Sequence, residues 1–121
     1  MIKKILIANR GEIALRIIRS CKKLGIETFC VGTEAEKKHP HILQADDSKL
    51  FDEFIYTNQK LILQTAKEFK VDAIHPGYGF LSENHEFAKL VSEAKIEFIG
   101  PSHKALDILG DKAKALSLIH I

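Results

Sequence analysis

Residues 4–31 have the sequence KILIANRGEIALRIIRSCKKLGIETFCV, in which a strand pattern, a helix pattern and a second strand pattern follow one another. Residues 5–8 are an uninterrupted apolar run, typical of a strand that is covered on both faces. The run ends at residues 9–11. A helical pattern then continues as far as Gly25, a residue type that favours a left-handed helix cap. Because residues 28–31 predict another strand, the stretch predicts a βαβ unit with parallel strands.

The same alternation continues along the chain. We expect strands at residues 71–74 and 96–99, and a short strand within the ambiguous residues 50–56. Polar residues 33–48 are expected to form a loop. Helices are predicted to start after four caps, namely Asn58, Ser82, Ser102 and Asp111. The predicted fold class is α/β, with a Rossmann-like, open, mainly parallel sheet and helices on both faces.

Composition excludes several classes of protein. The 121 residues are 45% hydrophobic and 28% charged, which is typical of one globular domain. The net charge of +2 gives no support for a nucleic acid partner. No apolar run approaches the roughly 20 residues that cross a bilayer, and the start lacks the pattern of a secretory signal. We therefore expect a cytoplasmic protein without a membrane partner, in which Cys21 and Cys30 are buried thiols.

The first helix has two different faces. An apolar arc centred on Ile17 opposes an arc of four cations: Arg16, Arg19, Lys22 and Lys23. Such a face is usually solvated, and a protein interface is the alternative, because arginine is enriched at interfaces.

Residues 75–84, HPGYGFLSEN, are the least ordinary exit from a predicted strand. Gly77 and Gly79 permit positive φ and a close approach of a ligand to the backbone. Tyr78 between them would project as a rigid, amphipathic contact. The alternative is a compact structural turn with its apolar residues packed inward and with His75 hydrogen-bonded in place.

Two other positions are candidate anion sites. Gly11 lies between a strand and a helix, where open helix N–H groups bind anions. A structural role is the alternative there, with Arg10 paired locally and Glu12 beside the helix dipole. Lys112 lies at a predicted helix start, where a bound phosphate would offset the unfavourable position of a cation.

The chain resembles the N-terminal domain of biotin carboxylase, as found in acetyl-CoA, propionyl-CoA, methylcrotonyl-CoA and pyruvate carboxylases. The match extends over residues 2–116, so we assign residues 1–116 to that domain and 117–121 to an atypical end. Five motifs carry the resemblance, namely residues 7–14, 45–46, 75–84, 98–101 and 110–112. Two stretches, the decapeptide at 75–84 and residues 9–12, are together the most specific for this family.

This resemblance implies an ATP-grasp ligase that uses ATP, Mg²⁺ and bicarbonate to carboxylate biotin on a carrier protein. It implies that Lys112 contacts ATP and that the loop bearing His75, Gly77, Tyr78, Gly79 and Glu83 faces the active site. Arg16 and Arg19 match a surface that takes part in subunit pairing, so the complete enzyme is expected to be a homodimer. The carrier protein and a carboxyltransferase are its expected partners. An acetyl-CoA carboxylase of fatty acid biosynthesis is the working expectation, although the transferase chooses the final substrate.

The sequence departs from the family in two places. Residues 51–54 stand where the family usually has a segment with Gly and Pro. The family's chain also runs for several hundred residues, so we expect a fragment or truncated product that has no catalytic residue of its own, binds no cofactor stably and is inactive alone. Two alternatives stay open: a non-catalytic module that pairs with full-length subunits, and a domain of another ATP-grasp ligase.

Overall fold

The computed structural model describes residues 2–99, which form an α/β fold around a parallel sheet. Within that range the sheet has five strands in the order β3-β2-β1-β4-β5, and every pairing is parallel. The predicted fold class is confirmed. The strands are β1 (Lys4–Ile7), β2 (Glu27–Thr33), β3 (Asp47–Phe51), β4 (Ala73–His75) and β5 (Glu97–Phe98). The helices are α1 (Gly11–Leu24), α2 (Pro40–Gln44), α3 (Gln59–Phe69) and α4 (His85–Glu93).

Strand β1 lies at the centre and is buried on both sides. Successive side chains of a strand point to opposite faces, so Ile5 and Ile7 face one core while Leu6 and Ala8 face the other. Helices α1 and α2 cover the first face through residues such as Ile17, Ile18 and Ile42. Helices α3 and α4 cover the second through residues such as Ile62, Ala66, Phe87 and Val91. The prediction of helices on both faces is confirmed.

The polar stretch at residues 33–48 is not the predicted loop. It holds a 3₁₀ turn (Glu34–Glu36), helix α2 and the start of β3. Pro40 is the first residue of α2, where its fixed φ suits a helix. Strand β3 lies at the edge of the sheet, so its polar residues tolerate exposure and hide the strand pattern. The strand expected within residues 50–56 begins earlier, at Asp47.

The helix caps agree with the sequence in part. Gly25 ends α1 with φ of 74°, and the side chain of Asn58 accepts a hydrogen bond from Leu61 N at 3.1 Å at the start of α3. The prediction that Ser82 caps α4 is wrong, because Asn84 does so by accepting from Phe87 N at 2.9 Å. Ser82 is buried in the preceding turn instead. The helices predicted after Ser102 and Asp111 lie outside the described residues.

The interior near α1 holds both cysteines as free thiols. Burial raises the pKa of Cys21 to about 12, and it raises the pKa of Cys30 as well. Both groups are therefore protonated at neutral pH. Among residues 2–99, no helix combines the length and the apolar character needed to cross a membrane.

Asp46 joins the starts of two neighbouring strands. Its Oδ2 accepts hydrogen bonds from Thr28 N at 2.7 Å and from Thr28 Oγ1 at 3.0 Å. Thr28 is fully buried, so both of its donors depend on partners inside the protein. The second residue of the 45–46 motif is therefore a structural connection between β2 and β3.

We predict that Asp46→Ala lowers the free energy of unfolding by about 1–3 kcal/mol, because it leaves buried donors of Thr28 without an acceptor. Urea unfolding followed by circular dichroism measures the change. The matched control is Asp47→Ala, since the side chain of the exposed Asp47 accepts a hydrogen bond from the adjacent Ser48 N. We expect a change within about 0.5 kcal/mol there. Equal losses for the two variants would contradict the assignment.

Candidate functional site

All carboxyl ends of the strands lie at one rim of the sheet, because all the pairings are parallel. The strand order reverses between β1 and β4: the chain first builds outward through β2 and β3, and then returns to add β4 and β5 on the other side. Open α/β sheets bind ligands at such a switch point, beyond the carboxyl ends. Two segments border it here, the β1 turn (residues 8–11) and the β4 loop (residues 76–84).

Asn9 ties these two segments together. Its Nδ2 donates hydrogen bonds to the carbonyl oxygens of Pro76 and Tyr78, each at 2.7 Å, and its Oδ1 accepts from Arg10 N at 2.8 Å. The side chain is only 4% exposed. Ala8 N adds a bond of 2.9 Å to the carbonyl oxygen of His75. The sequence placed Asn9 in a motif but not among the site residues.

The β4 loop follows an unusual backbone path. Gly77 and Gly79 have φ of 67° and 71°, the conformation that glycine was expected to permit there, and Phe80 has φ of 49°. A Cβ on Gly77 would lie 2.7 Å from Asn9 Nδ2 and 2.9 Å from Ile13 Cγ2, whereas a Cβ on Gly79 would meet nothing within 4 Å. Glycine at 77 is therefore required both by φ and by close packing.

The predicted loop residues occupy different environments. Tyr78 is 51% exposed, as expected of a projecting side chain, and Glu83 is exposed at the far end of the loop. His75 is buried, and its Nδ1 accepts a hydrogen bond from Gly77 N at 3.1 Å, so it helps to shape the turn. Of the two residues expected to pack inward in a structural turn, Leu81 does, while Phe80 remains 41% exposed.

A buried carboxylate that sequence reasoning missed lies beside the β1 turn. Glu36 is 3% exposed, and its Oε2 forms an ion pair with Arg10 Nε at 2.9 Å. Its Oε1 accepts from Thr33 N and from the hydroxyl of Tyr56, both at 2.9 Å. Arg10 thus has a partner far along the chain rather than a local one. The spacing of Thr33 and Glu36 is that of a capping box, a signal that was present in the sequence.

These contacts fix the charge state of Glu36. Burial by itself would raise its pKa, but the hydrogen bonds from Thr33 and Tyr56 and the charge of Arg10 outweigh burial and lower the pKa. Burial also raises the pKa of Tyr56 and lowers that of His41, whose Nε2 lies 3.3 Å from the Tyr56 hydroxyl. At neutral pH the group is therefore an anionic Glu36 beside a neutral His41 and an un-ionised Tyr56.

Aromatic rings connect this buried group to the β4 loop. The ring of Tyr56 stacks on that of Phe80 with centroids 5.3 Å apart, and Phe54 contacts Phe80 edge to face at 5.6 Å. Arg10 Cζ lies 5.9 Å from the centroid of the Tyr56 ring. Phe54 belongs to the segment in which the sequence departs from the family, and it is half exposed. The loop is thus held by Asn9 at its start and by Tyr56 near its middle.

The remaining predicted site residues lie apart from the switch point. Arg16 and Arg19 are exposed on α1, and Arg19 Nη1 lies 3.9 Å from Oε1 of Glu12, which is in the first helical turn as expected. Lys112 lies outside the described residues. Among residues 2–99, no group of three or more His, Cys, Asp or Glu side chains is placed to hold a metal ion.

We predict that Gly77→Ala destabilises the protein more than Gly79→Ala does. Both place alanine at positive φ, at a cost of about 1–2 kcal/mol, but only the former drives a methyl group into Asn9 and Ile13. The additional loss in free energy of unfolding is expected to be about 1–3 kcal/mol. Urea titration of both variants measures it. Indistinguishable urea midpoints for the two variants would show that Asn9 does not restrict the size of residue 77.

We predict that Glu36 contributes stability at neutral pH that is lost in acid. Its pKa in the folded protein is below the ordinary value of about 4.3. The unfolded chain is therefore protonated first as pH falls, which favours unfolding. The difference in free energy of unfolding between wild type and Glu36→Gln should be larger at pH 7 than at pH 3. The exposed neighbour substitution Glu34→Gln is the control, and a Glu36 difference that stayed constant over this range would refute the prediction.

The sequence of this chain is similar to those of known proteins from one family. The family model described as biotin carboxylase, N-terminal domain, matches residues 1–106. Biotin carboxylase 2 of Bacillus subtilis is 50% identical over 119 residues, which cover 95% of this chain and 27% of that protein. The 2-oxoglutarate carboxylase small subunit of Hydrogenobacter thermophilus is 47% identical over 118 residues, covering 95% of this chain and 25% of that protein.

Solved structures agree with the sequence matches. The biotin carboxylase domain dimer of the H. thermophilus 2-oxoglutarate carboxylase, in complex with MgADP, ADP and bicarbonate, superimposes with a TM-score of 0.81 at 46% identity. The match covers 97% of this chain and 26% of that one. A biotin carboxylase subunit of pyruvate carboxylase gives the same TM-score at 48% identity, with 97% and 27% coverage. The chain spans about a quarter of the length of these relatives, and it belongs to the biotin carboxylase N-terminal domain family.

Proposed function

We propose that this chain supplies the first part of a biotin carboxylase, which uses ATP and bicarbonate to carboxylate biotin on a carrier protein. The observation that carries the proposal is the half-exposed Tyr78, presented at the sheet's switch point on a loop whose backbone is fixed by Asn9. Ligands of open α/β sheets collect at that position. Membership of the family supports biotin carboxylation as the reaction that this rim serves.

The roles of individual residues follow from this proposal. His75 at the end of β4 and the β4 loop, with Gly77, Tyr78, Gly79 and Glu83, form one wall of the active site. Tyr78 offers the rigid contact, and the buried His75 maintains the shape of the turn. Lys112 contacts ATP. We assign the Mg²⁺ that accompanies ATP to later domains of the complete subunit, as the resemblance to the family implies.

The partners follow in the same way. Arg16 and Arg19, exposed on α1, contribute to pairing in a homodimer of the complete enzyme. The biotin carrier protein and a carboxyltransferase are the other partners. The relatives include a pyruvate carboxylase of Staphylococcus aureus as well as biotin carboxylases. Our proposal for the parent enzyme is an acetyl-CoA carboxylase that acts in the cytoplasm in fatty acid synthesis. We propose that residues 1–121 are inactive alone, because phosphoryl transfer needs metal and cationic clamps that the resemblance assigns to later domains of the family.

A domain exchange tests this function. Residues 1–106 replace the corresponding N-terminal segment of the B. subtilis biotin carboxylase 2, and ADP release is measured with bicarbonate and free biotin. We predict that the hybrid is active, that Tyr78→Ala lowers its kcat/KM for biotin by about tenfold to a hundredfold, and that the isolated chain shows no turnover. Leu43→Ala, at a 67% exposed position on α2, is the matched control and should have no effect.

The outcomes separate clearly. A folded hybrid without bicarbonate-dependent ADP release would refute the function, and turnover by the isolated chain would refute its predicted inactivity. An unchanged kcat/KM in the Tyr78→Ala hybrid would remove Tyr78 from the site.

A further inference from the structure

We propose that Asn9 is a positioning residue, which holds the β4 loop so that Tyr78 stands at the switch point in one orientation. The inference rests on the proposed function for its consequence in catalysis, but its structural basis is independent of that function. Asn9 follows β1, Tyr78 follows β4, and these two strands flank the point where the strand order reverses.

The chemistry of the amide group suits the position. One nitrogen donates two hydrogen bonds of 2.7 Å, to the carbonyl oxygens of Pro76 and Tyr78, and the amide oxygen accepts from Arg10 N. Aspartate has the same shape but would bring a carboxylate oxygen against those two carbonyl oxygens. Serine offers one donor, and glutamine is one methylene too long for a site that is 4% exposed.

The loop needs this support because of its backbone. Gly77, Gly79 and Phe80 all have positive φ, and the left-handed region is unfavourable for a residue with a Cβ. The two carbonyl groups that Asn9 engages lie on either side of Gly77, so the bonds fix the turn at its first left-handed residue. Gly77 in turn packs so closely on Asn9 that a Cβ at this position would displace the Asn9 side chain.

The orientation of Tyr78 depends on that backbone. Within the part of the chain that the structure describes, aromatic stacking holds Phe80 but none holds Tyr78. The ring of Tyr78 is half exposed and has no aromatic neighbour among these residues, so we infer that the main chain at 77–79 sets its direction. A change that releases the Tyr78 carbonyl from Asn9 is then expected to alter the position of the ring.

Fluorine NMR of the full chain labelled with 3-fluorotyrosine tests the positioning directly. The chain has two tyrosines, so the spectrum has two assignable resonances, and Tyr78→Phe identifies them. We expect Asn9→Asp to shift or broaden the resonance of Tyr78. The resonance of the buried Tyr56 should keep its chemical shift, which would show that the fold is retained. Asn58→Asp is the matched control, since aspartate retains the acceptor for Leu61 N, removes an exposed amide donor to Glu53 Oε1, and lies outside both segments.

An unchanged Tyr78 resonance in folded Asn9→Asp protein would overturn the proposal. If Asn9→Asp does not fold, Asn9→Ser is measured in its place, because serine removes one donor without adding a charge. In that variant a Tyr78 resonance identical to the wild type would likewise overturn it.

Kinetics of the domain-exchanged hybrid separate positioning from simple stabilisation. For Asn9→Asp we expect the KM for biotin to rise by about tenfold, with the KM for ATP unchanged. A merely structural role would lower the amount of active enzyme and leave both KM values alone, and that result would overturn the inference. If the hybrid without substitutions is inactive, the proposed function fails, while the NMR result still decides whether Asn9 positions Tyr78.

Discussion

Burial of β1 on both faces is the constraint on which the arrangement depends. Side chains of β1 alternate between two hydrophobic clusters, so each face of the sheet needs its own helices. Parallel strands with helical crossovers meet that need and bring every strand's carboxyl end to one rim. Because β1 pairs with both β2 and β4, the segment that follows β1 lies at the point where ligands collect in such sheets.

Adjacent residues Asn9 and Arg10 of the β1 turn contact segments on opposite sides of β1. Asn9 bonds to the loop after β4, and Arg10 pairs with Glu36 after β2. Glu36 binds the hydroxyl of Tyr56, and the ring of Tyr56 stacks on Phe80 in the β4 loop. The β1 turn is therefore connected to the β4 loop by two routes, one through an amide and one through a buried ion pair and an aromatic stack. The buried carboxylate is accommodated because its Oε1 accepts hydrogen bonds and its Oε2 forms an ion pair with Arg10.

Local patterns in the sequence predicted the parts of the fold that local physics determines. The apolar run of β1, the stripe of α1 and the cap at Gly25 all depend on residues close together in the chain. The positive φ at Gly77 and Gly79 was predictable for the same reason. Glu36 was missed as the partner of Arg10 because only the fold brings β1 and β2 side by side. The position of edge strand β3 was predicted wrongly because its exposed polar residues resemble those of a loop. Ser82 and Asn84 are both favourable caps, and tertiary packing places Asn84 at the start of α4.

The two thiols on the α1 side of the sheet have a practical consequence. Protonated sulfhydryl groups are weak nucleophiles, and those of Cys21 and Cys30 are shielded by the helix and the strand that carry them. Alkylating reagents reach such buried thiols only when the packing around them opens, so the rate of their modification reports how often this side of the sheet opens. Local opening of the native chain can therefore be measured through its own thiols, without an introduced label.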